Sequence, residues 1–407
     1  MLWDAKTKLC GTAMKRATTG LVLSTLSVLV ACSNSIDYQK PLRGSGGSAG
    51  SGSVGGSGAG GETAAAGAQF ILGADISGVN EEENLGISYE DTDGSAKSIF
   101  DILKNHGFNF IRLRAFVKPG AMYGYAYGTG GSCVKSEAYC DTAHTVAYAQ
   151  LAKVSGMGVL LDLHYSDNWA DPSNQIIPED WRKARTIDEL AGYVSVYTND
   201  IVTAMVDAGA RPDIVQIGNE ITPGMLKDIP NNKTDCWGNN VSASVIGGST
   251  SNWANLGTLL KSGAEAVKAV DSSIKVMVHI ENTQSASGVI NWVSNASDQG
   301  VPFDIVGLSC YDAFQGSPEF WEAAFNALAS TFPTLTFVIA EYNGQRTAAN
   351  LLMRNMPDNR GLGTFFWEPT LGGAWGGALF TQSGSVKRAN IDDFAEFDAI
   401  ASSVGLK

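Results

Sequence analysis

Basic charge is what this chain has least of. Twenty-eight lysines and arginines stand against forty-one acidic residues, for a formal net charge of −13. That balance argues against a general affinity for nucleic acid or anionic membranes, which call for basic patches, and leaves neutral polymers as compatible partners. Histidine is scarce. The four His, at 106, 144, 164 and 279, are scattered, and no two of the six cysteines form a C-x-x-C pair, so the spacing supports no zinc site. No glycine-rich phosphate loop follows the first strand-like run at 71–75, which counts against a doubly wound nucleotide-binding sheet. No cluster of Asp and Asn near the C-terminus has oxygen-ligand spacing, so neither a metal nor a cofactor is expected.

What is present divides into three parts. Lys15 and Arg16 precede an apolar stretch, Leu21 to Val30, too short to span a bilayer comfortably and suited to a secretory signal, with Met14 as a second candidate start. The stretch ends in Leu29-Val30-Ala31-Cys32, which resembles a bacterial lipobox and implies lipidation of Cys32, with Ser33 favouring outer-membrane sorting. Residues 1–32 are therefore expected to be a signal segment. Residues 33–68 are expected to be a linker, since ten of the eighteen residues from Gly44 to Gly61 are Gly and form no element. Four cysteines remain beyond the lipobox. Cys133 and Cys140 are close enough for a local bridge, with Cys236 and Cys310 as the leftover pair, and the pairing itself stays open.

From 69 to 407 a unit recurs. A helical stretch ends near a glycine (Gly107, Gly156, Gly209) and a short run rich in β-branched and aromatic residues follows. Strand candidates fall at 71–75, 109–114, 159–164, 213–218, 275–280, 303–309, 335–340 and 362–367. Eight such βα units predict an α/β fold of the (β/α)8 TIM barrel type, in which chemistry sits at the C-terminal strand ends. Those ends carry Asp75, Arg114, His164, Asn219-Glu220, His279 to Glu281, Tyr311, Glu341 and Trp367-Glu368. Two or more carboxylates without metal ligands, a Cys–His pair or a nucleotide loop suit glycoside hydrolysis, where one carboxyl group protonates the leaving oxygen and another attacks or activates water.

The local motifs narrow this reading. GADISGVNEEENLG, FIRLRAFVKP, LLDLHYSDNWADP, VQIGNEITPGML, FDIVGLSCY and GLGTFFWEP resemble the arabinogalactan endo-β-1,4-galactanases of glycoside hydrolase family fifty-three, from about Phe70 to Pro369. The resemblance implies Glu220 as acid/base and Glu341 as nucleophile, with Asn219 on the sugar 2-hydroxyl. It also implies Arg114 and Tyr311 as the groups that hold the nucleophile ionised, although Arg112 alternates onto the same face. Asp75 and His164 would line the innermost sugar site, Trp367 would floor it, and Trp169 would serve an outer subsite. Tyr342-Asn343 and His279-Ile280-Glu281-Asn282 depart from the expected pattern, which bears on subsite detail. The expected partner is β-1,4-galactan, cut with retention by a monomer exported and lipid-anchored at the cell envelope or secreted. A retaining endo-hydrolase of mannan, xylan or glucan, and a non-catalytic glycan-binding barrel, are the alternatives.

Overall fold

A computed structural model describes residues 69–126, 137–230, 246–372 and 377–407. The leader, the linker, Cys32, Cys133 and Cys236 lie outside the described residues. Eight parallel strands close into a barrel: β1 (Ile71–Asp75), β2 (Phe110–Ala115), β3 (Gly158–Leu163), β4 (Ile214–Ile217), β5 (Lys275–Ile280), β6 (Ile305–Ser309), β7 (Thr336–Tyr342) and β8 (Gly361–Phe366). Each pairs with its sequence neighbour, and β8 closes on β1 with Ile71 opposite Gly363. All eight expected strands are present, two with the expected bounds and six with ends shifted by a residue or two.

Local chemistry sets the units. Side-chain caps begin the helices: Ser98 accepts from the Asp101 amide, Asp141 from His144 and Thr186 from Glu189, each satisfying an otherwise unpaired N–H. The helices preceding β2, β3 and β4 end at Gly107, Gly156 and Gly209, with φ of 89°, 76° and 70°, where a side chain would be strained. Ile71, Leu160, Ile214, Met277, Ile305, Val338, Ala340 and Phe365 form an apolar plug inside the lower barrel. A second, larger core seals the outward strand faces against the helices.

One irregularity matters to function. Ile339 and Glu341 oppose Leu308 and Ser309, so β7 spends two residues where β6 spends one. Val338 and Ala340 point into the plug, and this bulge then turns Glu341 inward as well, while Tyr342 bonds outward to Asn350. Two short strands that the sequence reading did not anticipate, Phe380–Ser383 and Val386–Ala389, pair antiparallel with each other, and Val386–Ala389 pairs parallel with Ser88–Glu90 in a small separate sheet.

Candidate active site

Above the apolar plug the inward side chains become polar, and Arg112 of β2 organises them. Its guanidinium is fully buried and every N–H finds an acceptor. Nη1 donates to Asp75 at 3.0 Å and Glu341 at 2.8 Å; Nη2 donates to Asp162 at 2.8 Å and Asn219 at 2.9 Å; Nε donates to Gln216 at 3.2 Å. Tyr311 completes the grip on Glu341, its hydroxyl donating to Oε2 at 2.9 Å. The expectation for Arg114 is thereby corrected. Arg114 turns to Glu368 and stacks over the Trp169 ring at 4.2 Å, and it is Arg112, two residues earlier on the same face, that reaches Glu341.

Glu220 is held differently. Gly218 has φ +88°, and a Cβ there would lie 2.7 Å from Ile221, so only glycine fits. Glu220 itself has φ +47°, a costly backbone state for a non-glycine residue that recurs at functional sites. The strained turn brings its carboxyl group to Ser309, whose Oγ lies 2.7 Å from Oε1. Among the described residues no cation pairs with it. Burial and then the neighbouring Glu341 charge raise its pKa well above the ordinary carboxyl range. Burial raises Glu341 too, but Arg112 and Tyr311 pull against it. Of the two, Glu220 keeps the proton.

Asn219 is fixed from both ends. Its Oδ1 accepts from Arg112 and lies 2.9 Å from His279 Nδ1, while Nδ2 donates to the Ala170 carbonyl at 2.9 Å, leaving one amide hydrogen for a ligand. Asp75 and His164 do not line a sugar surface as expected. Asp75 is fully buried and accepts from Arg112 and from the Ser77 amide and hydroxyl. His164 is buried with Nε2 on Asp162 at 3.1 Å and Nδ1 accepting from the Ala170 amide at 2.9 Å. Its task is to hold the loop that holds Asn219.

Trp169 and Trp367 come together as partly exposed rings with centroids 6.1 Å apart, nearly edge to face, and both lie near the Arg114 guanidinium. Such a corner suits the apolar faces of sugar rings. Glu368 is fully buried, pairs with Arg114 and leaves Oε2 without a hydrogen-bond partner among the described residues; burial raises its pKa to about 7. Cys140 and Cys310 are buried free thiols, so neither expected bridge forms at these two residues. Burial pushes the Cys140 thiol up to about 12, with Arg114 pulling the other way.

Sequence reading named Arg112 and His279 without the roles they hold here, and it missed Asp162, Gln216 and Ser309. Alternation could have found Asp162, two residues before His164, and Gln216, two residues before the end of the run at 213–218. The same spacing marks Ser309, two residues before Tyr311 and last in the run at 303–309, but nothing in the sequence aims its hydroxyl at Glu220.

A closed (β/α)8 barrel with two carboxyl groups in one cleft, one protonated and one gripped by a guanidinium, defines a glycoside hydrolase. The family model described as Glycosyl hydrolase family 53 matches residues 71–351, and the chain belongs to that family. Among curated proteins it is 30% identical over 336 residues to the arabinogalactan endo-beta-1,4-galactanase of Thermothelomyces thermophilus, covering 73% of this chain and 88% of that one. Among solved structures, the family 53 catalytic domain of Ignisphaera aggregans superposes with a TM-score of 0.68 at 27% identity, over 82% of this chain and 96% of that one. A structure from a study of two fungal beta-1,4-galactanases gives 0.66 at 27%, over 81% and 99%.

Proposed function

We propose that this glycoside hydrolase is an endo-β-1,4-galactanase that works with retention, Glu341 attacking the anomeric carbon and Glu220 serving as acid and then base. The observation that carries the mechanism is the inequality of the two carboxyl groups: Arg112 and Tyr311 hold Glu341 as an oriented nucleophile, and Glu220 meets the neutral hydroxyl of Ser309 and keeps a proton. In the first step the Glu341 oxygen forms a bond to carbon while Glu220 gives its proton to the departing glycosidic oxygen. In the second, Glu220 takes a proton from water, and that water displaces Glu341. The remaining Asn219 amide hydrogen is available to the sugar 2-hydroxyl, and Trp367 and Trp169 offer faces for sugar rings. The galactanase names of the T. thermophilus and fungal relatives support the substrate.

Digestion of pure galactan, mannan, xylan and β-glucan, with product analysis by chromatography and anomer detection by proton NMR, tests this reading. Release of β-anomeric galacto-oligosaccharides from galactan supports it. Activity on mannan or xylan without galactan refutes the substrate, α-anomers refute retention, and binding without turnover makes the barrel a glycan-binding module. Export with lipidation at Cys32 and a monomeric state belong to the same reading, the first resting on the lipobox-like sequence. Loss of membrane association in Cys32→Ala tests the anchor, and sedimentation tests the monomer.

A further inference from the structure

Glu220 meets Ser309, Ser309 meets His279, and His279 meets Asn219, the residue that precedes Glu220 in the chain. The distances are 2.7 Å, 2.9 Å and 2.9 Å. Counting hydrogens gives this chain of contacts a direction. Asn219 Oδ1 is identified as the oxygen end, because it accepts from Arg112, which has no lone pair to offer, and because Nδ2 faces the Ala170 carbonyl. His279 Nδ1, 2.9 Å from that oxygen, must therefore carry a hydrogen. The imidazole is buried beside the Arg112 charge and stays neutral, which leaves Nε2 bare. Bare Nε2 takes the one hydroxyl hydrogen of Ser309. Only a lone pair of Oγ is then left to face Glu220, and a bond forms there only if Glu220 supplies the hydrogen.

We propose that Ser309 and His279 are positioning residues of the acid/base step, forming a one-way relay from Glu220 through Ser309 and His279 to Asn219 that is complete only while Glu220 is protonated. The proposal rests on Glu220 being the acid/base. When the Glu220 O–H bond breaks and its proton passes to the leaving oxygen, one hydroxyl hydrogen must serve two acceptors, the carboxylate and Nε2. The unsatisfied carboxylate is a stronger base, ready to take a proton from water in the second step. The reverse arrangement, with the proton on Nε2, sets the bare Nδ1 against Asn219 Oδ1 at 2.9 Å. It would gain only the Gln216 amide at 3.2 Å, which already has the Gly218 carbonyl at 3.0 Å.

Other groups act on the same pair. Glu341 on β7, Glu281 after β5 and Asp171 after β3 face Glu220 and favour its neutral form. Arg112 on β2 and His164 at the end of β3 hold His279 neutral, and Asp162 on β3 opposes them.

Two measurements on the intact chain test the relay. Nitrogen-15 spectra, with the His279 signals located by their loss in His279→Gln, should show a neutral imidazole protonated on Nδ1 at pH values where the enzyme is active. An Nε2–H tautomer or an imidazolium there overturns the proposal. Ser309→Ala should move the alkaline limb of kcat/KM about one unit to lower pH, because the Glu220 proton loses its acceptor, and Ser309→Thr should restore it. An upward shift would mean that Ser309 donates to a carboxylate, and an unmoved limb that it does nothing; either refutes the relay. The spectra need no substrate and no folded Ser309 variant. A chain inactive on every glycan would sink the proposed function yet leave the tautomer readable, and an active chain with the wrong tautomer sinks only the relay.

Discussion

Replacing Arg112 by lysine keeps the charge and removes the fork. Arg112 spreads five N–H groups over acceptors on Asp75, Asp162, Gln216, Asn219 and Glu341, contributed from both sides of the barrel. A lysine offers three donors from one atom and cannot span that set. At least two charge-assisted bonds are lost, each worth about 1.5–3 kcal/mol. With partial relaxation the expected destabilisation is about 3–5 kcal/mol, the range for breaking a buried ion pair. Glu341 loses its anchor at Oε1, and a rise of about 3 kcal/mol in the barrier lowers kcat by roughly 100-fold. Arg114→Lys is the control: it keeps a cation near Glu368, weakens a ring contact with Trp169 of about 0.5–2 kcal/mol, and should raise KM more than it lowers kcat. Urea unfolding and steady-state kinetics on soluble galactan measure both. If Arg112→Lys keeps kcat within tenfold while Arg114→Lys loses it, the assignment of Arg112 to Glu341 is wrong.

Glu220→Gln should lower turnover by about 10²–10⁴-fold, the usual worth of a general acid, and Glu341→Ala should abolish it, with binding to galactan retained in both; azide should rescue Glu220→Ala to a β-glycosyl azide, and an α product would refute the double displacement. The rate profile should be bell-shaped, falling at low pH as Glu341 takes a proton and at high pH as Glu220 loses its own, and a Glu220→Gln variant that keeps the alkaline limb would reassign it. Glu368 binds its proton more tightly in the fold, so its stabilisation is complete below its unfolded pKa and is lost as pH rises through about 7. Glu368→Gln removes that loss, so its stability relative to the parent should improve by up to about 3 kcal/mol from pH 5 to pH 8, and parallel stability curves would contradict the burial argument. Trp169→Ala should weaken long substrates more than short ones, and equal loss for both would place Trp169 outside the sugar path.

The barrel was legible because its signals are local and repeated. In three of the units a glycine at the helix end and a β-branched run after it state where the chain reverses, and Gly107, Gly156 and Gly209 do adopt the left-handed backbone that the pattern requires. The residues assembled at the mouth were legible in the same way, since Asn219, Glu220, Tyr311, Glu341 and Trp367 all lie within three residues of a strand end. Which of them touch each other was not. Arg112 and Arg114 are indistinguishable by alternation, and the choice between them depends on depth: Arg112 lies one inward position lower, opposite Leu160 of the apolar plug, and from there its guanidinium reaches Asp162 and Gln216, where the surrounding strands bring acceptors from every side. Asp75 and His164 were assigned to the sugar surface because they end strands, yet their polar atoms are consumed beneath it. Cys140 and Cys310 show the same limit, for sequence spacing says nothing about where two buried thiols point.

Both catalytic carboxyl groups reach the cleft by breaking the rule that located their strands. Strict alternation along β7 sends Val338 and Ala340 inward and would send Glu341 out toward the helices; the extra residue opposite Ser309 reverses it. Along β4, the turn through Gly218 and the left-handed Glu220 carries the acid toward β6. The two distortions converge, because Ser309, which bonds Glu220, is the residue that Glu341 opposes across the β6–β7 bulge. A regular barrel built from this sequence would keep its strands and lose that meeting. Periodicity therefore finds the scaffold and fails at the chemistry for one reason: regular strands present alternate side chains to the interior, and a pair of cooperating carboxyl groups needs two departures from that alternation in register with each other.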